Sequence, residues 1–181
     1  MKKFNKIIFI GLMGIILLFN YSCDPFDDVY LTLSMDLEFD VVGGGTSFFK
    51  EDSLCLSDFD DYNDNNDNIE EIKYITSIYM TLFSPDSLSA QNLTLTLYKS
   101  DKNSSLFRYV IPNFVSAKYI NDPLEISLSQ TEINDINNYL LKPTEDKCFY
   151  ATISASNVVA DSSIYRLNSK LEFLTQLKVK P

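Results

Sequence analysis

The sequence predicts an all-β, mainly antiparallel fold in which two sheets pack face to face. Three observations carry that expectation. Apolar and polar residues alternate one by one through the best-patterned stretch, Leu31 to Val41. Other short runs rich in β-branched and aromatic residues follow, separated by Gly, Pro, Asn, Asp and Ser. Only two short places show helical signals, which leaves strands to build the core.

The elements follow in chain order. Leu31, Leu33, Met35, Leu37, Phe39 and Val41 point one way, with largely polar residues between them, the signature of a half-buried strand. Gly43-Gly44-Gly45 comes next, then a second strand over Phe48–Leu56, and a glycine-rich link between two strands predicts a hairpin. Further strands are expected at Ile75–Phe83, Leu93–Tyr98, Phe107–Ile111, Leu124–Leu128 and Cys148–Ser156. The last run, Ile164 to Val179, alternates almost throughout. It is longer than a typical strand, which predicts a bend or a change of sheet near Ser169 or Thr175.

Two short helices interrupt the pattern. Ser129-Gln130-Thr131-Glu132 has capping-box spacing, Ile133, Ile136, Tyr139 and Leu140 follow at helical intervals, and Pro143 ends the segment. Asn68-Ile69-Glu70-Glu71 offers a similar cap for one turn before Tyr74. The whole describes an immunoglobulin-like β-sandwich of about seven or eight strands with two short connecting helices. A transmembrane barrel also alternates, but its strands need about 9–11 residues each, and several runs here are shorter.

Composition removes whole classes of chemistry. The 181 residues include no His and only five Gly. Ser-His and Cys-His nucleophiles and imidazole metal sites are therefore absent, and a phosphate-cradling glycine loop is not expected. Ser47-Phe48-Phe49-Lys50 repeats the Ser-x-x-Lys spacing of serine penicillin-binding enzymes. The accompanying Lys-Thr-Gly is missing, and on a strand positions three apart face opposite sides. No catalytic residue is assigned, and the chain is read as a non-enzyme.

The N-terminus reads as an address. Lys2, Lys3 and Lys6 precede thirteen uncharged residues, Ile7 to Phe19, too short for a membrane span and laid out as a secretory signal. Leu17-Leu18-Phe19-Asn20-Tyr21-Ser22-Cys23 then places a small residue directly before a cysteine. This resembles the lipobox of bacterial lipoproteins, with Asn20 and Tyr21 departing from its usual small or aliphatic residues. The resemblance covers the first 23 to 28 residues. It implies cleavage after residue 22 and acylation of Cys23, and acyl chains in pairs give stable attachment to a membrane. Residues 23–28 become the lipidated cysteine and an acidic tether (Asp24, Pro25, Phe26, Asp27, Asp28), and residues 29–181 a single β-sandwich domain. An Asp after the lipidated Cys resembles an inner-membrane retention signal, and an acidic cluster there resembles an export signal. The expected location is the bacterial cell envelope, with the outer membrane favoured, on its periplasmic side or the cell surface.

Fifteen basic and 25 acidic groups give a net charge of −10. Residues 1–22 hold three lysines and no acid, so the mature part carries 12 against 25, or −13. That disfavours nucleic acid as a partner. The membrane, through the lipid, is one expected partner, and an envelope protein or a glycan is the other.

Three sites remain as candidates. Residues 58–68 are Asp or Asn at nine of eleven positions, and the opening Asp61, Asn63, Asn65, with Asp67, resembles an EF-hand loop that would take Ca²⁺. The resemblance stops at Asn66, where Gly is usual, and at Ile72, where Glu is usual; Asp and Asn also favour plain turns. Ca²⁺ is the one cofactor the sequence offers. With Cys23 assigned to lipid, Cys55 and Cys148 form an even pair in an oxidising compartment, which predicts a disulfide. Finally, if Ile78, Met80 and Leu82 face the core, then Tyr79 and Phe83 face outward, and with Tyr98 they would form an aromatic platform for a glycan.

Overall fold

The computed structural model describes residues 29–85, 88–142 and 145–180. Eight strands form two four-stranded antiparallel sheets. The strands are β1 (Val29–Gly43), β2 (Ser47–Cys55), β3 (Ile69–Phe83), β4 (Ser89–Lys99), β5 (Ser105–Val115), β6 (Leu124–Glu125), β7 (Cys148–Ser156) and β8 (Tyr165–Val179). One sheet has the order β1-β8-β3-β6 and the other β2-β7-β4-β5. The helices are α1 (Asp60–Asn63), α2 (Lys118–Asn121) and α3 (Gln130–Tyr139).

The all-β sandwich is thus the observed class. Its strand order is that of an eight-stranded jelly roll, in which the chain repeatedly crosses between sheets, rather than the immunoglobulin order. The expected hairpin between β1 and β2 is one casualty. β1 pairs with β8 along its full length and β2 pairs with β7, so the glycine turn carries the chain from one sheet to the other. Gly45 takes φ +108°, a conformation that favours glycine, and a Cβ on Gly43 would lie 2.9 Å from the Tyr165 hydroxyl oxygen and displace that ring. The two strands still meet at the sandwich edge, where the Glu38 amide donates to Asp52 Oδ2 at 2.9 Å.

The core lies between the sheets. Leu33, Met35, Leu37, Phe39 and Val41 of β1 are buried, as the alternation predicts, in one core with Leu93, Leu95 and Leu97 of β4 and Phe149, Ala151 and Ile153 of β7 from the other sheet. Each large apolar side chain so enclosed contributes about 1.5–3 kcal/mol. β8 runs unbroken at the centre of its sheet, and Ser169 and Thr175 are buried within it, so the expected bend is absent. The irregularities fall on its neighbour β3, whose pairing with β8 shifts register at Ile69/Glu71, Tyr74/Thr76 and Thr81/Phe83.

The helices divide in the same way. α3 begins where the capping box places it, with Ser129 Oγ accepting from the Glu132 amide and Glu132 Oε2 accepting from the Ser129 amide. The turn expected at Asn68–Glu71 is not helical, because Ile69 already starts β3. The helical turns lie earlier, at Leu56–Asp58, α1 and Asn66–Asn68. The strand expected over Leu124–Leu128 contracts to Leu124–Glu125, after which the Ile126 amide still donates to the Ser77 carbonyl at 2.8 Å.

Candidate functional site

Cys23 and the rest of residues 1–28 lie outside the described residues. Among those described, no helix is long and apolar enough to cross a membrane.

The Asp/Asn segment forms capped turns. Asp58 Oδ2 accepts from the Cys55 amide at 2.7 Å, Asn63 Nδ2 donates to the Ser57 carbonyl at 2.8 Å, and Asn65 Nδ2 donates to the Asp61 carbonyl at 2.9 Å. Tyr62, between them, is buried and holds the segment against the core. Asp61, Asn63 and Asp67 are exposed and Asn65 is half-buried. Among the described residues, three metal-ligating groups of the Cys, Asp or Glu type converge only at Cys55, Asp146 and Cys148. There the two sulfurs are bonded to each other. Asp146 in turn accepts from the Ser57 amide at 3.0 Å and the Ser57 hydroxyl at 2.8 Å.

The expected aromatic platform does not assemble. Tyr79 is fully buried, packed edge-on against Phe114 and Tyr119. Burial pushes its phenol up to about 12. The phase of β3 is the reverse of the expected one: Ser77, Tyr79 and Thr81 point inward, while Ile78 and Met80 are half-buried and Leu82 is exposed. Phe83 is exposed at the end of β3, in the β1-β8-β3-β6 sheet. Tyr98 belongs to the other sheet, where its ring neighbours Tyr150 with centroids 6.2 Å apart. The Tyr150 ring is itself covered by the Lys102 ammonium, 3.9 Å from its centroid.

Registering the strands brings out a surface that no single segment announces. Strand alternation places Ser47, Phe49, Glu51 and Ser53 of β2 on the outer face of their sheet. Next to them come Tyr150, Thr152, Ser154 and Ser156 of β7, then Asn92, Thr94, Thr96 and Tyr98 of β4, then Arg108, Val110 and Pro112 of β5. Glu51 and Arg108 are the charged side chains in these ranks, at opposite ends of the row Glu51–Thr152–Thr96–Arg108. The outer face of the other sheet carries more charge: Asp36 and Glu38 on β1 stand opposite Glu172 and Lys170 on β8, with Asp40 opposite Asn168, and the uncharged pairs Thr32–Gln176 and Ser34–Leu174 follow along the strands.

On the neutral face a shallow depression of about 300 Å³ is lined by Asn92, Thr94, Arg108, Val110, Ser154, Ala155 and Ser156. Arg108 forms no ion pair among the described residues, and Phe49, in register with Ser154, stands 61% exposed one strand beyond. A second depression, about 370 Å³, lies between α3 and the start of β3. Its charges answer one another, Lys178 to Glu70 at 2.8 Å and Lys73 to Glu71 at 2.8 Å, and Asn137 Oδ1 is held by the Tyr74 amide at 2.9 Å. The first depression is the one that keeps its donors and acceptors open.

No family model and no curated protein matches the sequence. Among solved structures the chain is similar to a Desmodium yellow mottle tymovirus structure, with TM-score 0.39 and 9% identity over 86% of this chain and 90% of that one. It is also similar to a decameric BFDV capsid protein, with TM-score 0.36 and 9% identity over 82% of this chain and 99% of that one. Likenesses this distant bear no functional weight.

Proposed function

We propose that this chain is a lipid-anchored, non-catalytic binding module of the bacterial cell envelope. Cys23 is its acylated first residue, and the outer face of the β2-β7-β4-β5 sheet is its binding surface. The contrast between the two outer sheet faces carries the reading. On a body of net charge −13, a soluble surface normally intersperses charges, as the β1-β8 face does. A face of hydroxyls, amides and scattered apolar side chains, with Glu51 and Arg108 at its margins and the Lys102 ammonium over Tyr150 at one end, has a different use.

Two further observations support it. β1 begins at Val29, which pairs with Val179, and Val179 pairs with Ile69, so the tether enters at one end of the sandwich. Residues 24–28 reach at most about 18 Å when extended, which holds that end close to the membrane and turns both sheet faces sideways, clear of it. The groups whose pKa values move furthest, Tyr79 to about 12 and Glu145 to about 2, lie in the core and on an exposed loop, away from the depression. Displaced pKa values gather at catalytic sites, and these two sit far apart in the fold rather than in one cleft.

Fractionation of host cells tests the reading. The wild-type chain should remain with the membranes until detergent is added, and Cys23→Ser should move to the soluble fraction. Protease applied to intact cells then separates the surface from the periplasmic side. A wild-type protein recovered without detergent, or a Cys23→Ser protein still held by the membrane, overturns the anchor.

A further inference from the structure

Building on the binding-module reading, we infer that the depression between β7, β4 and β5 is a subsite for a neutral oligosaccharide. Its polar lining is made of short side chains. Asn92 and Ser156 share one cross-strand rank, and Thr94 and Ser154 the next. Ranks on one face repeat about every 6.8 Å along a strand, and strands lie about 4.8 Å apart, so these groups form a grid of donors and acceptors at the scale of one sugar ring. Short hydroxyl and amide side chains lose little rotamer freedom when a ligand is bound.

The apolar groups have the complementary position. Val110 continues the rank of Thr94 and Ser154 on one side, and exposed Phe49 continues it on the other. A pyranose offers the same mixture, with C–H bonds on its faces and hydroxyls around its rim. Arg108, open to solvent and without an ion-pair partner among the described residues, supplies a fork of N–H donors at the edge of the depression.

Charge selects among ligands. A body of net charge −13 repels polyanions, and the Arg108 guanidinium with the Lys102 ammonium over Tyr150 does not reverse that, so acidic polymers fit poorly. A cation would find Glu51 alone, three strands from Arg108. A protein partner would need a desolvated apolar and aromatic centre, whereas the centre of this face is Thr96 and Thr152, each less than a tenth exposed. An uncharged polyhydroxyl ligand matches every one of these features.

Affinity electrophoresis of the full chain in mild detergent tests the subsite, using gels cast with β-glucan, xylan, α-mannan or polygalacturonate. Retardation is expected in at least one of the three neutral polymers. Arg108→Ala and Asn92→Ala should each weaken it about tenfold, while Thr32→Ala on the opposite sheet leaves it unchanged. Thermal melts of all variants confirm that the fold is kept. The Cys23→Ser chain should be retarded like wild type, so failure of the anchor and failure of the subsite are read separately. Mobility unaffected by every polymer, retardation by polygalacturonate alone, or retardation untouched by both Arg108→Ala and Asn92→Ala overturns the inference.

Discussion

Cys55 and Cys148 stand opposite one another on the last rung of the β2–β7 ladder and are joined by a disulfide that spans 93 positions of sequence. The bond fastens the end of β2 at the point where the chain leaves for the Asp/Asn turns, and the ladder continues there through the Leu56 amide donating to the Lys147 carbonyl at 2.9 Å. In the loop-entropy treatment a link of this length contributes about 4–5 kcal/mol. The Cys55→Ala/Cys148→Ala chain should therefore unfold at lower denaturant, by up to that amount, and reductant should shift wild type and leave the double variant unmoved.

Tyr79 is a core residue, and its substitutions should behave accordingly. Tyr79→Ala should lose about 3–5 kcal/mol, read as a drop in the denaturation midpoint. Tyr79→Phe should lose far less, since the ring keeps its packing against Phe114 and Tyr119 and the hydroxyl's contact with Thr81 Oγ1 is 3.5 Å long.

Alkaline pH offers a second reading of the same residue. The phenol ionises near 10 when unfolded and near 12 when folded. Between these values the unfolded chain has released its proton and the folded chain has not, so stability is complete below pH 10 and falls as pH rises toward 12. Tyr62, Tyr74 and Tyr165 are raised by burial in the same direction. Stability against pH should decline from about pH 10, less steeply in Tyr79→Phe.

The α3 capping box should be worth about 1 kcal/mol. Ser129→Ala removes the hydroxyl that accepts from the Glu132 amide and donates to Glu132 Oε2, while the backbone amide at 129 keeps its bond to that carboxylate. A fall of that size in unfolding free energy checks it.

Calcium should leave the melting midpoint unmoved at millimolar concentration. The Nδ2 groups of Asn63 and Asn65 tie the turns to backbone carbonyls without help from a cation, and among the described residues Asp61 and Asp67 join no converging group of three carboxylates or thiols. A midpoint that climbs with added Ca²⁺ would return these four residues to the role of ligands.

Legibility in the sequence followed how local each signal is. The alternation of β1, the Ser129 cap and the pairing of two remaining cysteines need only neighbours or a count, and each is found in the fold. The phase of β3 was not legible, because Ser77 and Thr81 go inward and Ile78 and Met80 outward once pairing with β8 and its register shifts set the orientation. The partnering of β1 and β2 also escaped a local reading, since both take partners more than 90 residues away along the chain. The neutral face was hidden for the same reason. Asn92, Arg108 and Ser154 come from three strands, and only register brings them together.

The most direct measurement is the mass of the intact mature chain extracted from host membranes, before and after reduction. The expected species begins at Cys23, carries a diacylglyceryl group and fatty acid there, and gains two hydrogens when the Cys55–Cys148 bond is reduced. A mature chain that starts at another residue, or one with Cys23 as a free thiol, would contradict the anchor on which the proposed function stands.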